Sequence, residues 1–145
     1  TFTTEHGFQN AAGVANIVAK CHAGILTSFF EGMPCYLLET LSVGRPFCAI
    51  RLPQYDPLVV SGISGHLLER ATEPQKSASD LSAEFVNLWR SIQSGKIDPH
   101  RVHDMVLPYA VDRQLNRLFE HHRKIMNGNN TSGKNGNPAH MKPAY

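Results

Sequence analysis

Apolar residues along this chain come in short blocks separated by turn-forming residues, and the spacing within the blocks alternates between helical and strand-like. In Ala11–Lys20 (AAGVANIVAK), Val14, Ile17 and Val18 fall on one face at helical spacing, which predicts a helix despite Gly13. Ala23–Ser28 (AGILTS) is a short, mainly apolar run bounded by turn signals and reads as a buried strand. The next segment, SFFEGMPCYLLETLSVGRP (Ser28–Pro46), predicts a helix over Met33–Val43. Pro34 suits its first turn, Gly44 the position just past its end, and Pro46 bars continuation. Pro46–Ile50 (PFCAI) predicts a second buried strand and Gly65–Glu69 (GHLLE) a third, short one. Between them, Leu52–Gly65 is a loop punctuated by Pro53, Pro57, Gly62 and Gly65, with a helical turn expected at Pro57–Ser61.

The later part of the pattern is helical. A polar linker is expected over Glu73–Asp80, followed by an amphipathic helix over Leu81–Ser94 through Leu81, Phe85, Leu88 and Ile92. Asp98–Val106 and Val111–Met126 complete it, with Leu115, Leu118 and Phe119 as the expected buried edge of the last helix. Asn127–Tyr145 has almost nothing to bury and is expected to be a disordered tail, which places the domain at 1–126 and the tail at 127–145. The strand–helix–strand order predicts an α/β fold with a parallel sheet. About three strands are visible, few for a complete doubly wound sheet. Together with a first residue, Thr1, that is not Met, this makes the chain read as the later half of a longer domain.

Composition narrows the classes. The chain has 145 residues, enough for one domain, and 14 Lys+Arg against 12 Asp+Glu, so nonspecific attraction to nucleic acid is not indicated. No stretch reaches the roughly 18–20 apolar residues that cross a bilayer. Cys21, Cys35 and Cys48 are odd in number, lie in apolar runs and match no zinc spacing; buried reduced thiols in a cytosolic protein are expected.

The candidate chemistry lies in the Ser28–Pro46 segment, where Glu31 and Glu39 bracket an apolar run. In an open parallel sheet ligands bind beyond the carboxyl ends of the strands, where helices begin. There the backbone N–H groups of Gly32, Met33, Cys35 and Tyr36 and the helix dipole favour an anion such as a phosphate; Pro34 has no N–H to give. Ionised carboxylates are acceptors only and suit the paired hydroxyls of a sugar or ribose. Were both helical, Glu31 and Glu39 would stand about 80° apart around the axis. A nucleotide sugar would use all three features. The plainer readings are an acid near a helix N-terminus for Glu31, a solvated face for Glu39 and a strand-end cap for Ser28. Arg45 and Arg51 could reach phosphate or be solvated, and Gln54, Tyr55 and Asp56 follow the second strand where either site residues or loop packing would sit. His100, His103, His121 and His122 read as surface helix residues rather than a zinc set.

The run E-G-M-P-C-Y-L-L-E (Glu31–Glu39), with Ser28 before it and Gly44-Arg45-Pro46 after it, resembles the E-x7-E signature of retaining glycosyltransferases of the two-domain GT-B architecture, family 4. The likeness extends to Ala11–Ser28, to Val60–Leu68 with its spaced glycines Gly62 and Gly65, and to Val111–Ile125 as a closing helix. It implies a Rossmann-like parallel sheet with flanking helices, incomplete here: the later half of a GT-B C-terminal, donor-binding domain. It also implies transfer of a hexose-type residue from a UDP-, GDP- or ADP-linked donor to a hydroxyl acceptor with retention, without metal or cofactor. Glu31 would take the catalytic position at the sugar. Glu39 would hold the ribose, and Gly32, Met33, Pro34, Cys35 and Ser28 would complete the donor site. Two departures stand out. Thr40 replaces the usual Ala after the second glutamate, and the family's Arg and Lys pair that clamps the diphosphate has no counterpart here. The isolated chain is therefore expected to be inactive, with a glycan or lipid-linked acceptor held by a further N-terminal domain. The resemblance implies a cytoplasmic protein, peripheral membrane contact at the inner face being common in the family, and no nucleic-acid partner. A glycogen-synthase-like or sugar-phosphate-synthase-like enzyme is the neighbouring alternative. A non-catalytic nucleotide- or partner-binding α/β module derived from such an enzyme is the alternative of a different class.

Overall fold

The computed structural model describes residues 3–131, with side chains through residue 127. The chain forms two units, Thr1–Leu107 and Pro108–Tyr145. In the first, α1 (Ala11–Ala19), β1 (Gly24–Leu26), α2 (Cys35–Ser42), β2 (Phe47–Ile50), β3 (Gly65–Leu68), α3 (Pro74–Gln93) and α4 (Pro99–Asp104) follow one another. The three strands form one parallel sheet in the order β1-β2-β3, with Gly24 opposite Phe47 and Phe47 opposite Gly65. The protein is thus an α/β fold with a Rossmann-like arrangement of sheet and helices, as the pattern predicted. All four β2 side chains are buried, so both faces of that strand are covered. α2 packs on β2 with α1 and α4 against it, and α3 packs on β2 and β3.

The strand flanked on both edges shows why particular small residues stand where they do. A Cβ at Gly24 would come within 2.6 Å of the Phe47 ring and 2.8 Å of Thr40 Cγ2. Thr40, the unusual residue after Glu39, is fully buried in this contact, and its hydroxyl donates to the Tyr36 carbonyl at 2.7 Å. Gly65 has φ 149° and lies so close to β2 that a Cβ would meet the Phe47 carbonyl oxygen at 1.8 Å. α2 stops as expected. Gly44 takes φ 72°, its N–H donates to Leu41 and that of Arg45 to Thr40, the paired bonds of a Schellman ending.

Several expectations need correction. Pro34 is the residue before α2 rather than part of its first turn, with extended φ −70° and ψ 121°. β1 is an edge strand, so only Gly24 is buried and Ile25 is exposed, where a fully buried strand was expected. The turn after β2 falls at Pro53–Tyr55, ahead of the expected Pro57–Ser61, because Pro53 pre-sets the backbone angle that starts it. Glu73–Asp80 is mostly helix, not linker: α3 begins at Pro74, which loses no bond at a first helical position. Lys76 pairs with Asp80 at 2.9 Å one turn on, and the small Ser77 is buried with its hydroxyl accepting the Ala71 N–H. Helical structure there rests on polar contacts that an apolar count does not register. Of the cysteines, Cys48 alone is buried; Cys21 and Cys35 are exposed.

The second unit holds α5 (Val111–Thr131). Its start is bound locally, Gln114 Nε2 donating to the Pro108 carbonyl at 2.6 Å. The helix passes Met126, so the stretch expected as tail is helical as far as Thr131; residues 132–145 lie outside the described residues. Leu115, Leu118 and Phe119 are exposed, contrary to the expected buried edge. A lone amphipathic helix has no layer of its own against which to bury its stripe. Among the described residues, no helix is long and apolar enough to cross a membrane.

Candidate functional site at the carboxyl edge of the sheet

Because the strands are parallel, the segments following Leu26, Ile50 and Leu68 all emerge at one edge. The first carries residues 27–34 and delivers the chain to α2. The second carries Arg51 and the Pro53–Tyr55 turn, and the third leads through Glu69 and Arg70 to α3. Side chains lace these segments together. Gln54 Nε2 donates to both the Glu31 carbonyl, at 2.7 Å, and the Gly32 carbonyl, at 2.8 Å. Arg51 pairs with Asp56 at 3.3 Å and Glu69 at 2.9 Å. The Arg70 guanidinium lies 4.5 Å over the Phe29 ring. The loop bearing Glu31 is therefore held by two backbone bonds from one amide and by a cation on its aromatic neighbour.

The predicted residues gather at this edge. Ser28, Glu31 and Pro34 are half-buried; Gly32, Met33 and Cys35 are exposed. Glu31 lies in the loop before α2, not on the helix, so the helical angle between the two glutamates does not apply. Glu39 sits one turn into α2, half-buried. The ion pairs among the described residues use Asp56, Glu69, Asp80 and Glu84 and leave Glu31 and Glu39 out. Both carboxylates thus keep their acceptor capacity. The N-terminus of α2 carries no side-chain cap, because Pro34 has none to offer, and the Cys35 and Tyr36 amides have no earlier helical carbonyl to reach.

The Pro53–Tyr55 turn adds a feature that residue spacing did not reveal. Tyr55 is fully buried, yet its hydroxyl has no hydrogen-bond partner among the described residues. Burial raises its pKa, and the negative charge of Glu31 raises it further. The one available signal was position: a Pro-led turn directly after the carboxyl end of a central strand. On the α3 side of the same edge an open, mainly apolar cleft of about 260 Å³ is walled by Thr27, Phe29, Ile50, Pro74, Ser77 and Leu81.

Other candidates have structural duties. Arg45 Nη2 donates to the Ala19 carbonyl at 2.6 Å, closing the end of α1, while its Nε is buried without a partner among the described residues. His103 Nδ1 lies 2.7 Å from the Ser42 carbonyl and ties α4 to the end of α2. No group of three or more metal-ligating side chains is found among the described residues. At the carboxyl edge, then, are two carboxylates unpaired among the described residues, helix-start amides without an earlier helical carbonyl and a clamped loop, a set able to accept from hydroxyls and donate to an anion. No family model, no curated protein and no solved structure matches the chain.

Proposed function

We propose that this chain is the donor-binding part of a retaining, nucleotide-sugar-dependent glycosyltransferase of the GT-B type. The observation that carries the reading is the junction of β1 and α2: Glu31 in a clamped loop, an uncapped helix start directly after it, and Glu39 one turn into that helix, both carboxylates outside the ion pairs among the described residues. Glu31 accepts from hydroxyls of the transferred hexose, Glu39 from those of the ribose, and the amides around Gly32, Met33, Cys35 and Tyr36 donate to the diphosphate. Pro34 and Ser28 shape the turn. In the reaction, the bond between the anomeric carbon and the diphosphate oxygen breaks and a bond to the acceptor oxygen forms. The acceptor proton passes to the departing diphosphate. The helix start favours the charge that develops there. With the acceptor held elsewhere and no basic pair on these residues, the chain alone binds donor without turnover.

The test is equilibrium binding of UDP-, GDP- and ADP-linked hexoses to the whole chain. Glu39→Ala is expected to weaken binding of the preferred donor by about 1–3 kcal/mol through lost ribose hydrogen bonds. An unchanged affinity removes Glu39 from the site. Binding of nucleotide diphosphates regardless of the sugar, with no effect of Glu31→Gln, would favour a non-catalytic nucleotide-binding module instead.

A further inference from the structure

We infer, resting on the donor-site reading, that Gln54 is a positioning residue: its side-chain amide turns two successive peptide units so that the Gly32 and Met33 N–H groups face the diphosphate of a nucleotide sugar. Gln54 Nε2 donates to the Glu31 carbonyl at 2.7 Å and to the Gly32 carbonyl at 2.8 Å, so both of its N–H bonds are spent on consecutive carbonyls. Each carbonyl shares a rigid plane with the N–H of the following residue, the Glu31 oxygen with the Gly32 N–H and the Gly32 oxygen with that of Met33. No peptide bond among the described residues is cis, and in a trans unit the C=O and the N–H point opposite ways. Both N–H groups are therefore directed away from Gln54. Neither has a hydrogen-bond partner among the described residues, and Gly32 and Met33 are both exposed. Two neighbouring donors turned away from one clamp are set in advance for the oxygens of an anion.

Gln54 has no substitute in this task. Among the described residues no other hydrogen bond joins residues 28–33 to the Pro53–Tyr55 turn, and the hydroxyl of the neighbouring, buried Tyr55 has no partner there. The Arg70 guanidinium over the Phe29 ring holds the loop further back and fixes neither peptide plane. Without the two bonds, the units on either side of Gly32 turn freely, because glycine opposes little of the backbone map. Their carbonyls, which repel an anion, then take the place of the N–H groups. The Cys35 and Tyr36 amides are different. They belong to α2, and the helix sets their direction whatever stands at position 54. Loss of a mere staple would unsettle all four amides alike, whereas loss of a positioning residue affects Gly32 and Met33 alone.

The experiment is an amide-resolved NMR titration of the whole isotope-labelled chain and of its Gln54→Met variant, with inorganic pyrophosphate and, separately, with UDP-, GDP- and ADP-linked hexoses. In the unsubstituted chain pyrophosphate is expected to shift Gly32, Met33, Cys35 and Tyr36 together. In Gln54→Met the Cys35 and Tyr36 shifts persist and those of Gly32 and Met33 fall to background. The dissociation constant for pyrophosphate rises by about tenfold or more through the lost charge-assisted bonds. Circular dichroism checks that the variant folds; should methionine prevent it, Gln54→Ala, which only leaves space at this half-buried position, takes its place. The proposal is overturned if Gly32 and Met33 of the unsubstituted chain do not respond to pyrophosphate, if they respond equally in the variant, or if all four amides lose their response alike. Failure of the donor-site reading looks different: the pyrophosphate pattern and its dependence on Gln54 persist while none of the three nucleotide-linked hexoses binds.

Discussion

Two buried side chains in the first unit carry protons that the fold holds more tightly than water does. Burial pushes the Cys48 thiol up to about 11, and the charge of Glu84 adds to the effect. Tyr55 shifts in the same direction, by burial first and Glu31 second. A group whose pKa is raised on folding binds more protons in the native state than in the unfolded state, so stability falls as pH rises. For Cys48 the window runs from about pH 9, where the unfolded thiol ionises, to about pH 11. The loss across it is about 2–3 kcal/mol from this residue. Urea denaturation at stepped alkaline pH checks it: Cys48→Ala should flatten the decline between those limits, and an equally steep decline would show that Cys48 is not its source. At the same scale, Gln54 illustrates what a sequence hides. Its importance comes from two bonds to carbonyls more than twenty positions away, and no local pattern marks them.

At the scale of elements, the end of α2 is the most legible feature. Gly44 and Pro46 ended α2 where they should, because positive φ and a missing N–H are local demands. The strands were visible as apolar runs, but the openness of β1 was not, since burial depends on what lies beyond Ile25 rather than on Ile25 itself. The start of α3 has no apolar signature for the opposite reason: an ion pair, a buried serine and a first-position proline build two turns with little apolar content. α5 was legible as an amphipathic helix, but periodicity identifies an apolar face and not its partner. The tightest junction between elements is β2 against β3 at Gly65. Gly65→Ala combines a clash with the Phe47 carbonyl and a backbone angle that side chains rarely adopt, so it should cost about 3 kcal/mol or more in chemical denaturation. A loss below about 1 kcal/mol would mean that the β2–β3 pairing shifts freely to make room.

For the whole molecule, a parallel sheet of three strands turns scattered residues into one edge. Glu31, Gln54, Tyr55, Arg51 and Arg70 come from three segments and meet only because β1, β2 and β3 run the same way. The E-x7-E spacing located the glutamates; the clamp that holds their loop needed the fold. A likeness of fold does not carry an activity, and the donor-site reading rests on the chemistry of that edge. Its most direct test is a titration of the isotope-labelled chain with UDP-, GDP- and ADP-linked hexoses, followed amide by amide by NMR. Saturable shifts are expected for one of them, centred on Gly32, Met33, Cys35 and Tyr36, with Gln54 responding through its bonds to the same loop. Saturable shifts centred elsewhere, or none with any of the three donors, would contradict it.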